Sequence, residues 1–324
     1  MKKNIFISLA FLFILSNGFS QKEKKISFFK TSSKVIYDIC FTPKGEAIGI
    51  ADNKTIKVYT IATKALLKEF KDGHQNRIMS IDISKDNKLL VSGDNKGKIV
   101  IWDYLNNKIL KTLNSQNGLI TSLKISPDCR YIASGGTDHK VFLYDVESNK
   151  VIHEFADHLA EVTSVEFSPD GKLIVSAGGD KTIKIYDTKS YELIKSLTGH
   201  DSWVRGISFS KDGKKMISCG DDANLIIWDM SKIQDIYQQS KVNSKYSWLS
   251  SVQYNEYDNE AYVYADISGK IAITTLKGGY NTNLHVLINK IRFIHTESIY
   301  FRLAVATKGR GVMYLNARNM HSTL

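Results

Sequence analysis

Apolar and polar residues alternate over runs of four to six positions along most of this chain, and short clusters of Asp, Gly, Pro, Asn and Lys separate the runs. A period of two predicts half-buried β-strands, and the clusters predict tight turns between antiparallel neighbours. Three consecutive stretches show the scheme: NGLITSLKISPDCRYIASGGTDHKVFLYD, LAEVTSVEFSPDGKLIVSAGGDKTIKIYD and DSWVRGISFSKDGKKMISCGDDANLIIWD. Each holds three alternating runs. A fourth run precedes the next unit, at Ala65 to Phe70, Ile109 to Leu113, Val151 to Phe155 and Leu193 to Leu197. Ser168 to Gly171 and Ser210 to Gly213 are tight-turn sequences in which Gly supplies the positive φ.

The third run of each unit ends in an aromatic residue, at Tyr59, Trp102, Tyr144, Tyr186 and Trp228, with spacings of 43, 42, 42 and 42 residues. A repeat of this length with four short strands predicts a propeller blade rather than a helical solenoid. Beyond Trp228 the spacing drifts to 46 and 40, with Thr274 and Tyr314 at the aromatic position. Seven units are predicted, the last two, over about 240–324, divergent. Asn316 to Leu324 lacks the apolar pair of a fourth strand, whereas Lys25 to Lys30 is a strand ahead of the first full unit. The fold expected is therefore an all-β, seven-bladed propeller of four-stranded antiparallel blades. The N-terminal strand completes the last blade, because an open ring would leave two unpaired edges.

These residues resemble the WD-repeat family. Trp102-Asp103 and Trp228-Asp229 are its terminal dipeptide, Tyr144-Asp145 and Tyr186-Asp187 its common variant, and Thr198-Gly199-His200 its Gly-His signal. The match is good over about residues 30 to 230. The resemblance implies a buried tetrad of His, Ser or Thr, Asp and Trp in each blade. The fifth blade carries it complete as His200, Ser218, Asp222 and Trp228. The fourth has His158, Ser176 and Asp180 but Tyr186; the third has Gln116 and Tyr144 beside Ser134 and Asp138. In the second, His74, Ser92 and Trp102 are present and Lys96 takes the Asp position, with Asp94 close enough in sequence to reach in. Ser, His and Asp recurring once per blade point to structural use rather than to a hydrolase triad. A triad would be singular, and no Gly-x-Ser-x-Gly elbow is present.

Met1 to Ser20 changes the picture of location. Lys2 and Lys3 precede an apolar run from Ile5 to Leu15, and small residues lead to Gln21, the layout of a signal peptide cleaved after Ser20. The apolar run is about half the ~20 residues a spanning helix needs. Cys40 lies too far along to be a lipidated residue, so a single propeller over 21–324, exported to the periplasm or medium with no membrane span, is expected. The junction and the richness in Lys, Asn and Ile resemble those of exported bacterial proteins. Three cysteines, Cys40, Cys129 and Cys219, make neither a disulfide framework nor a zinc site. Cys129, in a turn, is expected to be an exposed thiol. The net charge of +11 comes from lysines scattered over turns and outer strands, a solvated basic surface, and export argues against a nucleic-acid partner.

The family resemblance places partners on the face made by the loops leading into each blade, around the first apolar residue of the inner strand. That residue recurs as Ile36, Ile78, Ile120, Val162 and Val204. Trp203 and Trp248 precede it on adjacent blades, as does Arg77 on the second; Tyr37, Met79 and Arg205 follow it. Trp and Arg are enriched at interface hot spots. These six residues are the expected binding set, for a protein or peptide on a non-catalytic platform. A glycan stacked on the tryptophans, helped by lysines toward acidic groups, is the second reading. A metal-dependent, lactonase-like hydrolase is the third, disfavoured because the inner-strand starts are aliphatic, aromatic or basic. No cofactor and no metal site are expected.

Overall fold

The computed structural model describes residues 25–29, 31–33, 35–114, 116–232, 236–243, 248–255, 258–267, 270–275, 278–283, 287–296, 300–308 and 312–318. The expected targeting segment, 1–20, lies outside them. Among the described residues the strands form seven four-stranded antiparallel sheets, six of them built from strands consecutive in sequence. The exception joins Leu287–Thr296, Tyr300–Lys308 and Val312–Arg318 to Lys25–Phe29, with Phe28 opposite Met313. The fold is an all-β propeller of four-stranded blades. Inner strands neighbour one another around a channel, from Ile39–Phe41 through Ile78–Ile83, Ile120–Ile125, Val162–Phe167, Val204–Phe209 and Leu249–Asn255 to Leu287–Thr296, which lies against the first. No helix among the described residues is long and apolar enough to cross a membrane.

Burial follows the alternation. Inner strands such as Val162–Phe167 leave only Thr163 and Glu166 half-buried, because a bulge between Val162 and Ser164 shifts the alternation, and second strands such as Leu173–Gly178 are buried along their length because neighbouring blades cover both faces. The cores lie between blades. One of them brings Phe29 together with Ile36, Ile48, Tyr59, Ala304 and Val312, so the N-terminal strand is held by apolar burial as well as by its ladder.

Turns repeat with the same period. Gly45, Asn87, Cys129, Gly171 and Gly213 take φ of 65°, 59°, 63°, 73° and 71° in the turns between first and second strands. In the four later ones a Ser hydroxyl binds an Asp two residues on, as in Ser168 to Asp170 at 2.6 Å. Cys129 therefore occupies a place suited to Gly or Asn. It is half-buried against Ile125 and Phe142 rather than an exposed thiol, because the turn folds it back onto the blade.

Polar links between blades also repeat. Asp38 accepts from Ser80 Oγ at 2.9 Å and Ile81 N–H at 3.1 Å, Ser80 Oγ accepts from Leu123 N–H, and Ser122 Oγ from Val165 N–H. These short buried side chains stitch the first four inner strands together in series.

Candidate functional site at the mouth of the channel

Tetrads set the loops that form this face. In the fifth blade His200 Nδ1 lies 2.9 Å from Asp222, Nε2 2.8 Å from Ser218 Oγ, and Trp228 Nε1 donates to Ser218 at 3.0 Å. An ionised Asp accepts only, so Nδ1 carries the proton, Nε2 accepts from the Ser hydroxyl, and that oxygen in turn accepts from the indole. Burial alone would raise the Asp222 carboxyl. Bonds from Asn224 and the Asp201 N–H, together with His200, offset it and hold the group below the usual range.

The second blade closes the same circuit with Asp94. Its carboxylate stands 3.0 Å from His74 Nδ1 and accepts from the Lys96 and Lys98 N–H groups, while His74 Nε2 and Trp102 Nε1 meet Ser92 at 2.7 and 2.8 Å. Lys96, at the register position, contributes only its backbone. In the third blade the Gln116 amide bridges Asp138 at 3.1 Å and Ser134 at 2.9 Å. In the fourth, His158 binds Asp180 and Ser176, but the Tyr186 hydroxyl is buried and meets no partner at hydrogen-bonding geometry. Ser92, Ser134, Ser176 and Ser218 are all fully buried, so none is an accessible nucleophile. Among the described residues no group of three or more His, Cys, Asp or Glu is placed to hold a metal ion.

Above this layer a cleft of about 180 Å³ opens at the channel mouth, lined by Tyr37, Met79, Thr121, Thr163, Arg205 and Ser250, with Asp38 and Leu119 completing the wall. Tyr37, Met79 and Arg205 therefore meet at one place. Arg205 is fixed there by two bonds to the Asp221 carboxylate, at 2.8 and 2.5 Å, and by the Trp203 ring, whose centroid is 4.6 Å from the guanidinium. Trp203 itself lies over Gly179, where an added Cβ would come within 2.9 Å of the indole. Arg77 is exposed, donates to the Tyr37 hydroxyl at 3.2 Å, and sits 5.6 Å from that ring.

Trp248 holds the equivalent backbone place on the next blade: its carbonyl accepts from Ile267 N–H at 3.1 Å, as that of Trp203 accepts from Asp221 N–H. Its side chain is 55% exposed, and among the described residues the two indoles share no ring contact. They do not form one stacked surface. Asp221 and Gly179 were not signalled by the repeat pattern as site residues. The departure that marks them is local: Gly178-Gly179 and Gly220-Asp221 stand where the third blade has Gly136-Thr137.

The family described as "WD domain, G-beta repeat" matches residues 64–103, 107–145, 149–187 and 191–229. Among solved structures, that of U3-55K is similar with a TM-score of 0.77 and 18% identity, covering 90% of this chain and 98% of that one, a likeness of fold alone. No curated protein sequence matches the chain. With four matched repeats, each running from one blade's outer strand through the first three strands of the next and each holding a His–Asp or Gln–Asp loop lock beneath the mouth, the chain belongs to the WD-repeat family.

Proposed function

We propose that the chain is a non-catalytic interaction platform: a rigid seven-bladed ring, exported after cleavage at Ser20, that holds a protein or peptide at the mouth of its channel. The observation carrying this reading is the convergence of Tyr37, Met79 and Arg205 on one cleft, with Trp203 and Arg205 pre-set by Gly179 and Asp221. A preorganised aromatic and guanidinium pair loses little freedom on binding, which favours its use as an anchor. Trp248, with more than half its surface in water, adds apolar area a partner would cover. Arg77, resting on Tyr37, offers guanidinium donors to an acidic group or a carbonyl at the same rim.

The test compares the purified chain with a variant carrying Trp203→Ala and Trp248→Ala as bait for the proteins of its own envelope and medium. Loss of a specific partner with an unchanged melting temperature supports the reading, and equal capture by both overturns it. Export has its own test: a mature chain whose intact mass begins at Gln21 supports it, and retention of Met1 contradicts it.

A further inference from the structure

On the face opposite the channel mouth, the outer seams between blades carry a repeated lock. Lys68 Nζ donates to the Leu105 carbonyl at 2.8 Å, Lys111 Nζ to the Val146 carbonyl at 2.8 Å, and Lys195 Nζ to the Ile236 carbonyl at 2.7 Å. Each comes from an outer strand and ties down the segment that follows the third strand of the next blade. At the seam between the third and fourth blades that position is His153. Among the described residues no ammonium reaches across there. Instead the imidazole stacks on Tyr191, with centroids 4.9 Å apart and planes 16° from parallel.

Tyr191 is itself out of place. The turns between third and fourth strands hold a residue at positive φ, filled by Lys64, Asn107, Asn149 and Tyr191 at 57°, 58°, 58° and 63°. A bulky aromatic is disfavoured in this conformation, and a strained residue that persists points to a use for its side chain. Its ring lines a shallow groove of about 500 Å³ together with Tyr131, Ile152, Arg130, Glu147 and Ser148. Arg130 is held over the Tyr131 ring at 5.0 Å and bonded through Nε to Asp145 at 3.2 Å. That pairing leaves its terminal nitrogens facing water beside the Glu147 carboxylate, which forms no ion pair among the described residues.

We infer that this groove is a second binding site, separate from the channel mouth, and that it takes a neutral saccharide. Tyr131 and Tyr191, each half-buried and covered on one face by Arg130 or His153, offer their remaining ring surface to the C–H face of a pyranose, and a few fixed polar groups set its orientation. Arg130 donates, Glu147 accepts and the Ser148 hydroxyl does both, the mixture that vicinal hydroxyls require. Formal charges balance around the groove, with Arg130 and Lys111 against Asp145 and Glu147, so neither an acidic nor a basic ligand gains from the field.

The test uses the mature chain with maltotetraose, cellotetraose, laminaritetraose and mannotetraose as probes, and tetragalacturonate and tetralysine as charged comparators. Binding is read by calorimetry and by saturation transfer from protein to ligand. At least one neutral tetrasaccharide is expected to bind with Kd on the order of 1 mM, as a shallow site allows. Tyr191→Asn restores the residue of the two preceding turns, so it keeps or raises the melting temperature while weakening binding about tenfold, the worth of one aromatic stack. Arg130→Ala weakens it likewise, and Trp203→Ala leaves it unchanged. The inference is overturned if no neutral probe binds up to about 10-fold above that concentration, if the charged comparators bind better, or if Tyr191→Asn and Arg130→Ala bind as the wild type does.

Discussion

Tyr144 and Tyr186 stand at the same place on adjacent blades, yet loss of the hydroxyl should change stability in opposite directions. Both rings are fully buried, and Tyr186 lies with its centroid 4.2 Å from that of Phe155. Ser176 and Asp157 are the nearest polar groups to the Tyr186 oxygen, but neither meets it at hydrogen-bonding geometry, and burial pushes the phenol far above its usual range. An unmet buried hydroxyl costs roughly 1–3 kcal/mol. Tyr186→Phe removes that cost and keeps the ring packing. The void left by one oxygen, roughly 15 Å³, returns about 0.4 kcal/mol. The net expectation is a gain of about 1 kcal/mol, or about 2 °C for a chain of this length. In the third blade the Ser134 hydroxyl donates to Gln116 Oε1 at 2.9 Å and so accepts from the Tyr144 hydroxyl at 3.4 Å; Tyr144→Phe breaks this long bond and costs about 0.5–1 kcal/mol. Thermal unfolding of the two variants beside the wild type reads the sign directly. A loss at Tyr186 as large as that at Tyr144 would show that the hydroxyl has a good partner, and would refute the reasoning.

Three further outcomes follow from local geometry. Cys129→Gly should stabilise by about 0.5–1 kcal/mol, because φ of 63° suits glycine and relief of the left-handed strain exceeds both the added chain entropy and the apolar burial that the thiol gives up; urea unfolding midpoints decide it. Gly97→Ala should cost several kcal/mol, on the order of 3, since φ is 83° and a Cβ would fall 1.9 Å from the Gln116 carbonyl oxygen, with no flexible side chain to yield; the melting temperature measures it. Asp94, Asp180 and Asp222 all have carboxyls held below the usual range, because bonds and nearby imidazoles together outweigh burial. A group whose folded value is depressed stabilises above its unfolded pKa of about 3.9 and loses that contribution as pH falls further, toward the folded value. Stability should thus drop below about pH 4, and Asp180→Asn should flatten that limb while costing stability at about pH 7, as denaturation across pH will tell.

Much of this architecture was legible in the alternation and in the aromatic ruler. Lys25–Phe29 pairs with Val312–Arg318, as the shortage of apolar residues after Tyr314 required, and the sheets beyond Trp228 keep their strands although Thr274 replaces an aromatic. Side-chain chemistry was less legible, because register fixes where a backbone lies and not where a carboxylate reaches. Asp94 enters its circuit from two residues before the expected position, where the turn points it at His74. Asp221 pins Arg205 from another turn, and Gly179 admits Trp203 only by lacking a Cβ. The two tryptophans share a register position, yet Trp203 packs on Gly179 of the neighbouring blade and under Arg205 of its own strand, whereas Trp248, with Ser250 in the place of Arg205, stands in water.

The most direct test of the platform reading is site-specific photo-crosslinking in the native cell, with a benzophenone amino acid at Met79 in the channel mouth or at Lys189 on the opposite face. The account predicts a discrete partner adduct from Met79 that disappears when Trp203 and Trp248 are replaced by alanine, and none from Lys189. Adducts from Lys189 alone, or a Met79 adduct indifferent to the tryptophans, would contradict it.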